Sequence, residues 1–200
     1  MEFIRKHSPE QDYLTALGTM VHWFAKVEVM LAATLSNVSG LSLDMGKAIL
    51  SGVRADSAKS LIIRALEQRK MKDDILHLKD VFDHLGVITS VRNDLLHYGQ
   101  TQNSESGFAV VKMSHMREKD IIYSVTTNDL NDMSRDLFKI HSHLIHFEWH
   151  RVAPESQMIR DLEEWMSVPW RYKRRGPNAQ MNKRKKAVPK GTRQRPPSKN

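Results

Sequence analysis

Residues 72–97 read KDDILHLKDVFDHLGVITSVRNDLLH, a stretch whose apolar residues recur at steps of three and four. This spacing places them on one side of an α-helix. The apolar residues on that side are Ile75, Leu78, Phe82, Leu85, Ile88 and Leu95. Gly99 follows the last of them, and glycine is common just beyond the end of a helix. The stretch therefore predicts a long amphipathic helix over about 72–96.

Helical signals on both sides of this stretch predict a bundle. Ser8 and Pro9 mark the start of a first long helix that continues to about residue 36. Further helices are expected over about 43–50, over 55–68, from Thr127 or Asn128 through Phe147, and over 154–165. We expect a mainly α fold in which these helices form an antiparallel bundle.

Two runs between the fourth and fifth predicted helices have β-strand character. Residues 108–113 and 121–125 predict a small β-hairpin inserted at about 107–126, after a polar loop at 99–107. The helical domain is expected to span residues 8–168. From Pro169 onward there is no periodicity, so residues 169–200 are expected to form a disordered basic tail, apart from an anchor at Trp170.

The basic charge of the chain is concentrated at its C-terminal end. Twelve of the 31 Lys and Arg residues lie within 171–200, which contains no Asp or Glu, so the preceding residues carry a net charge of −4 although the whole chain has +8. We expect this tail to contact RNA phosphates; a tail that only aids solubility, or a nuclear import signal, is the alternative. The residues expected to bind nucleic acid are Lys173, Arg174, Arg175, Lys183, Arg184, Lys185 and Lys186.

The composition also indicates the compartment. The chain has no cysteine, which excludes disulfides and thiolate zinc sites. Its N-terminus lacks the apolar run of a signal peptide, and no stretch approaches the roughly 18 apolar residues of a membrane span. We expect a soluble, cytoplasmic protein that does not engage a membrane.

Two charged residues interrupt the apolar stripes. Arg92 falls on the stripe of the fourth helix between Ile88 and Leu95, and Glu28 falls at a comparable position in the first helix. A buried guanidinium costs several kcal/mol unless it is paired or used. We expect Glu28 and Arg92 to approach each other or to line one polar cleft. The alternative is that Arg92 reaches the helix edge while Glu28 pairs with a lysine.

His97 closes the same predicted helix. It lies four residues after Asn93 and three after Asp94, so the three side chains can share a face. Asn93 is expected to orient the imidazole, and Asp94 to favour its protonated form. A lone histidine at this position is usually only a favourable partner of the helix dipole. Arg92, Asn93 and His97 together at the end of a long helix point to a site.

The run Arg92-Asn93-Asp94-Leu95-Leu96-His97 resembles the R-x4-6-H signature of HEPN domains, in the form R-N-x-x-x-H. That family carries the motif late in a long helix of a helical bundle, an organisation similar to residues 10–150 here. The resemblance implies a ribonuclease that needs no metal, with Arg92 and His97 as its catalytic residues. Family members act in toxin–antitoxin, abortive-infection and CRISPR-associated systems, and others bind nucleotides or proteins without cleavage. One departure is that Tyr98 directly follows the histidine, whereas some toxin members have a tyrosine two residues after it.

The residue types suit RNA, which carries its own nucleophile in the 2′-hydroxyl. Histidine transfers protons near neutral pH, and arginine offers phosphate a fixed fork of donors. Five residues of an ideal helix turn the direction by roughly 140°, so Arg92 and His97 of one chain do not point together. The resemblance implies that two motifs meet across a two-fold axis. The expected partners are RNA and a second copy of the chain, with an antitoxin protein as a further one.

The remaining histidines offer a metal interpretation that we do not adopt. His143, His146 and His150 lie on one face of the fifth helix at a spacing that can bind zinc or nickel. That face is opposite the apolar stripe, so we expect it to be solvated or to face RNA. His77 and His84 share a face with no evident third ligand. We therefore predict no metal site and no cofactor.

The expected function is that of a metal-independent HEPN-type endoribonuclease with a composite dimer site, acting in defence or as a toxin. One alternative is a non-catalytic HEPN-like module that binds RNA or a protein. Another is a helical DNA-binding or scaffold protein that acts through its tail.

Overall fold

A computed structural model describes residues 8–50, 55–97, 100–103, 107–112, 121–150 and 152–173. The helices are α1 (Pro9–Ser39), α2 (Leu43–Leu50), α3 (Ala55–Gln68), α4 (Lys72–His97), α5 (Thr127–Trp149) and α6 (Gln157–Ser167), and the strands are β1 (Gln100–Asn103), β2 (Gly107–Lys112) and β3 (Ile121–Val125). The predicted mainly α bundle is confirmed. Within the described ranges, no helix combines the length and the apolar character that crossing a membrane requires.

Local capping fixes the ends of the long helices. Ser8 is extended and accepts a hydrogen bond from the backbone N–H of Gln11 at 3.2 Å, which starts α1. Gly40 ends α1 with a φ of 70°, a left-handed conformation that glycine adopts without strain. Thr126 and Asp129 start α5 by exchanging side-chain to backbone hydrogen bonds of 3.1 and 2.9 Å.

The core lies among α1, α3, α4 and α5. α1 and α5 run parallel, because Trp23 packs against Phe138 near their middles and Asn37 donates to Glu148 near their ends at 2.7 Å. The predicted apolar stripe of α5 is buried without exception. It consists of Leu130, Met133, Leu137, Ile140, Leu144 and Phe147.

α4 runs antiparallel to α5. His77, near the start of α4, contacts His143 in the second half of α5. His84, two turns further along α4, contacts Asp136, two turns further back along α5. One side of α5 therefore meets α4 through polar side chains as well as apolar ones.

α2 crosses α1 at very short distance. A Cβ atom at Gly46 would lie 1.8 Å from the Ser36 hydroxyl and 2.9 Å from the Ala32 carbonyl oxygen. Only a glycine permits this approach, so Gly46 fixes where α2 sits on α1.

The described strands form one antiparallel sheet in the order β1-β2-β3. The predicted hairpin corresponds to β2 and β3, with Val110 opposite Tyr123. The loop expected over 99–107 is wrong for residues 100–103, which pair as β1 with β2. Their polar side chains gave no strand pattern, and the pairing of an edge strand requires only backbone hydrogen bonds on one side.

The segment after α6 packs on the bundle. The predicted anchor at Trp170 is half-buried, and Tyr172 beyond it is 5% exposed. Residues 169–173 are thus ordered where the sequence predicted the beginning of a disordered tail. The rest of that predicted tail, residues 174–200, lies outside the described residues.

Candidate functional site

The C-terminal end of α4 carries the sequence-predicted site, residues 92–97. The guanidinium carbon of Arg92 lies 4.9 Å from the centre of the Phe24 ring on α1, an arrangement in which a cation is attracted to the ring face. Its Nη1 donates to Asn93 Oδ1 at 3.0 Å. Its Nε is buried and meets no acceptor in the described part of the chain. Arg92 is therefore held in place by an aromatic ring and a neutral amide.

The expected pairing of Arg92 with Glu28 is wrong. Glu28 is exposed, and the neighbouring Val27 is fully buried in the position that the sequence pattern gave to Glu28. Both positions lie three or four residues from Phe24 and from Leu31, so periodicity alone did not distinguish them. As a result, no carboxylate among the described residues forms an ion pair with Arg92.

The other predicted site residues are divided between the interior and the surface. Asp94 is 3% exposed, whereas His97 is exposed at the last position of α4. Across the described residues, no hydrogen bond or ion pair joins His97 to Arg92, Asn93 or Asp94. The expectation that Asn93 orients the imidazole is corrected, since its amide oxygen holds Arg92 instead.

The predicted tail residues fall mostly beyond the described chain. Lys173 is exposed at the end of the packed C-terminal segment. The other residues expected to bind nucleic acid, Arg174, Arg175, Lys183, Arg184, Lys185 and Lys186, lie outside the described residues.

The histidine-bearing face of α5 is largely buried, so the expectation that it is solvated is wrong. Asp136 is 2% exposed and His143 is 8% exposed, because α4 and residues 168–172 cover this face. We call this region the α4–α5 polar cluster. It comprises His77, Asp80, His84, Asp136, Lys139, His143 and Trp170.

Asp136 is the centre of the α4–α5 polar cluster. Its carboxylate accepts hydrogen bonds from the backbone N–H of Arg171 at 2.9 Å and from that of Tyr172 at 2.7 Å. His84 Nε2 lies 2.8 Å from the same carboxylate. A carboxylate buried with this many donors is structurally satisfied, and it fixes the C-terminal segment to α5.

Trp170 closes the polar cluster from outside. Its ring stacks on His84 with centres 4.3 Å apart, and Lys139 Nζ lies 4.0 Å from the ring centre. Its indole N–H donates to Asp80 at 3.0 Å, and Lys139 donates to the carbonyl of Val168. The indole and the ammonium therefore hold residues 168–172 over the groove between α4 and α5.

Two imidazoles meet inside the polar cluster. His143 Nδ1 lies 3.2 Å from His77 Nε2, a hydrogen bond in which one ring donates to the other. Burial, and then the nearby His77 and Lys139, lower the pKa of His143 from 6.5 to about 3. Burial and His146 lower the pKa of His77 in the same way. Both rings are neutral near pH 7. In the described ranges, no group of three or more His, Asp or Glu side chains is arranged to hold a metal ion.

An open cleft lies between α1, α5 and α6, on the side of the C-terminal segment away from the polar cluster. This aromatic cleft has a volume of about 630 Å³. Its lining residues are Thr19, Trp23, Asn131, Ser134, Arg135, Asp136, Phe138, Lys139, Trp165, Val168, Pro169 and Arg171. The sequence did not reveal it, because α6 and residues 168–171 have no periodic relation to the α1 and α5 residues they approach.

Comparisons with models of protein families, with curated proteins and with solved structures return no match for this chain. The features of the chain that bear on its function are the end of α4, the polar cluster and the aromatic cleft.

Proposed function

We propose that this chain is a metal-independent endoribonuclease of the HEPN type, with Arg92 and His97 as its catalytic residues. The observation that carries the proposal is the state of Arg92. Its guanidinium is half-buried on Phe24 and has no carboxylate partner among the described residues. A positioned cation of this kind is suited to receive an anionic phosphate.

The proposed reaction uses only groups of the RNA and of the chain. The 2′-hydroxyl attacks the adjacent phosphorus, and the bond from phosphorus to the 5′-oxygen of the next nucleotide breaks. The proton leaves the 2′-oxygen and a proton reaches the 5′-oxygen, with His97 as the transferring group. Arg92 offsets the negative charge on the phosphorane. The products are a 2′,3′-cyclic phosphate and a free 5′-hydroxyl.

A second copy of the chain is part of the proposal. Arg92 packs inward on Phe24, whereas His97 is exposed, and no hydrogen bond joins them within the described chain. A symmetric pairing of two α4 ends would let Arg92 of one copy act with His97 of the other. We propose a homodimer on this basis, with a cytoplasmic role in defence or as a toxin, and an antitoxin protein as a further partner.

The test is cleavage of mixed RNAs by the pure 200-residue chain in excess chelator. The proposal expects cyclic phosphate ends from the wild type and at least a 100-fold slower reaction from His97→Ala. His150→Ala, at another exposed histidine, serves as the control and should cleave normally. Activity that requires magnesium, or that survives His97→Ala, contradicts the proposal.

The dimer is tested by dilution. Light scattering and cleavage are measured over one concentration series, and the rate per chain should fall as the dimer dissociates. A demonstrated monomer with full activity per chain would show that the site is not composite.

The alternative is a non-catalytic HEPN-like module that binds RNA or a protein. It is favoured by one observation: nothing in the described chain fixes the His97 ring. In that case the same assay leaves RNA intact in the wild type while a binding assay still shows complex formation.

A further inference from the structure

The walls of the aromatic cleft are formed by three large rings. Phe138 of α5 packs edge-on against Trp23 of α1, with centres 4.9 Å apart, and against Trp165 of α6, with centres 5.3 Å apart. Trp165 is 55% exposed, so much of its ring contributes little to the core. An exposed indole beside a cleft offers a flat surface on which a planar ligand can stack.

The charges around these rings are predominantly positive. Arg135 is exposed, and its ion pair with Asp132 is long, at 3.8 Å. Arg171 is exposed, and its guanidinium forms no ion pair with any described carboxylate. The negative charge in the lining, Asp136, is already engaged by backbone N–H groups and by His84. Two guanidinium groups are therefore available to an anion at the cleft.

The cleft also holds neutral polar groups and has a suitable size. Asn131 is exposed on α5 and its amide forms no hydrogen bond within the described chain, so it can both donate and accept. A volume of about 630 Å³ falls in the range of roughly 300–1000 Å³ that is common for small-ligand sites. The cleft thus offers an aromatic ring for stacking, a cation for a phosphate and an amide for the polar edge of a base. These groups match one chemical unit, an unpaired base with its phosphate.

We infer that the aromatic cleft binds an unpaired nucleotide of single-stranded RNA, with the base on Trp165 and the phosphate at Arg135 and Arg171. A base in a duplex is stacked on its neighbours and cannot offer its face to Trp165, so the site selects single strands. The choice of RNA over single-stranded DNA rests on the proposed function, whereas the binding itself does not require cleavage at Arg92 and His97.

The test measures binding of the 200-residue chain to a labelled eight-nucleotide RNA by fluorescence anisotropy at fixed salt. The RNA carries 2′-O-methyl groups, which block attack by the 2′-oxygen, so the outcome is independent of the proposed ribonuclease activity. Trp165→Ala should weaken binding by about tenfold or more, since stacking on one aromatic side chain has this effect. The matched control is Trp149→Ala, at an α5 tryptophan that is 49% exposed and outside the cleft, which should change the Kd less than about twofold.

A second pair of variants does not rely on removing a ring. Arg135→Glu should weaken binding by about tenfold, whereas Arg64→Glu on α3 makes the same change in net charge away from the cleft and should have a smaller effect. Circular dichroism of each variant checks that the fold is kept. Two further probes are adenosine monophosphate and a duplex of the same sequence.

The inference is overturned if Trp165→Ala and Trp149→Ala bind alike with both folded, or if Arg135→Glu and Arg64→Glu do. It is also overturned if the duplex binds as tightly as the single strand. If adenosine monophosphate binds at least as tightly as the octamer, the cleft is a free-nucleotide site and the assignment to RNA is wrong.

Discussion

Charged and titratable residues have opposite roles in two polar regions along α4. In the α4–α5 polar cluster, Asp136 accepts hydrogen bonds from two backbone N–H groups and from His84, so its charge is fully engaged in the fold. At the end of α4, Arg92 has no carboxylate partner in the described chain and His97 is exposed. Asp136 therefore serves the fold, whereas Arg92 and His97 are more available to a ligand.

The largest expected effect is on stability, at Asp136. Asp136→Asn places an amide N–H₂ against backbone donors and removes a buried charge from its partners, so we expect a loss of about 3 kcal/mol in the free energy of unfolding. Urea denaturation measures it. Asp132→Asn on the same helix, at a long and partly exposed ion pair, should cost less than about 0.5 kcal/mol. Equal losses in the two variants would remove the distinction between a buried charge that serves the fold and a partly exposed ion pair.

The next effect is on activity, at Arg92. Arg92→Lys keeps the charge but loses the planar fork, so the rate of RNA cleavage should fall by about 100-fold while the free energy of unfolding changes by less than about 1 kcal/mol. Single-turnover cleavage and urea denaturation provide the two measurements. Arg64→Lys on α3 is the control and should leave both unchanged. A drop in stability that matches the drop in activity would mean that Arg92 serves the fold, as Asp136 does.

The third effect concerns pH and tests whether the polar cluster serves the stability of the fold. The folded-state pKa of His143 is about 3, against 6.5 ordinarily. Between pH 6.5 and 3 the unfolded chain binds a proton at this ring that the folded chain does not, so the free energy of unfolding falls as the pH falls. Above pH 6.5 the ring is neutral in both states, and its titration no longer changes the free energy of unfolding. In this window the free energy of unfolding of the wild type should fall by roughly 1 kcal/mol more per pH unit than that of His143→Gln. Urea denaturation at pH 7, 6, 5 and 4 tests it, and identical slopes would contradict a neutral buried ring.

The smallest effect is expected from the C-terminal residues. Deleting 174–200 should lower RNA affinity by less than about tenfold at physiological salt and flatten its salt dependence, because fewer counterions are released. The deletion keeps the backbone of Arg171 and Tyr172 on Asp136, so stability should not change. Anisotropy titrations from 50 to 200 mM salt measure the slope. A steep, unaltered slope would assign the phosphate contacts to the helical domain instead.

Much of the fold was predictable because it depends on local signals. The bounds of α2 and α3 match the sequence prediction, since glycine-containing breaks and apolar spacing define them. The start of α6 was placed too early at Pro154, because Ser156 caps the helix and Gln157 begins it. Such errors are small and come from competing local signals.

The sites were less predictable because they depend on what covers each face. The polar face of α5 was expected to be solvated, yet α4 and residues 168–172 bury His143 and Asp136. Residues 169–173 have no periodic pattern that would predict this contact. It depends on the Trp170 ring and on two backbone N–H groups. Glu28 was misplaced by one residue, and that error exchanged an exposed carboxylate for the buried Val27.

The attachment of the C-terminal segment has a consequence for avidity. Arg171 lines the aromatic cleft, and the basic residues from Arg174 onward follow it within three positions in the sequence, so the chain connects them covalently to the cleft. A strand held in the cleft would meet these residues at a high effective concentration, without a separate diffusional encounter. A contact at the cleft and a contact at these basic residues, joined in this way, act as one stronger bivalent contact. Moving residues 174–200 to the N-terminus would abolish this gain in RNA affinity without changing the net charge.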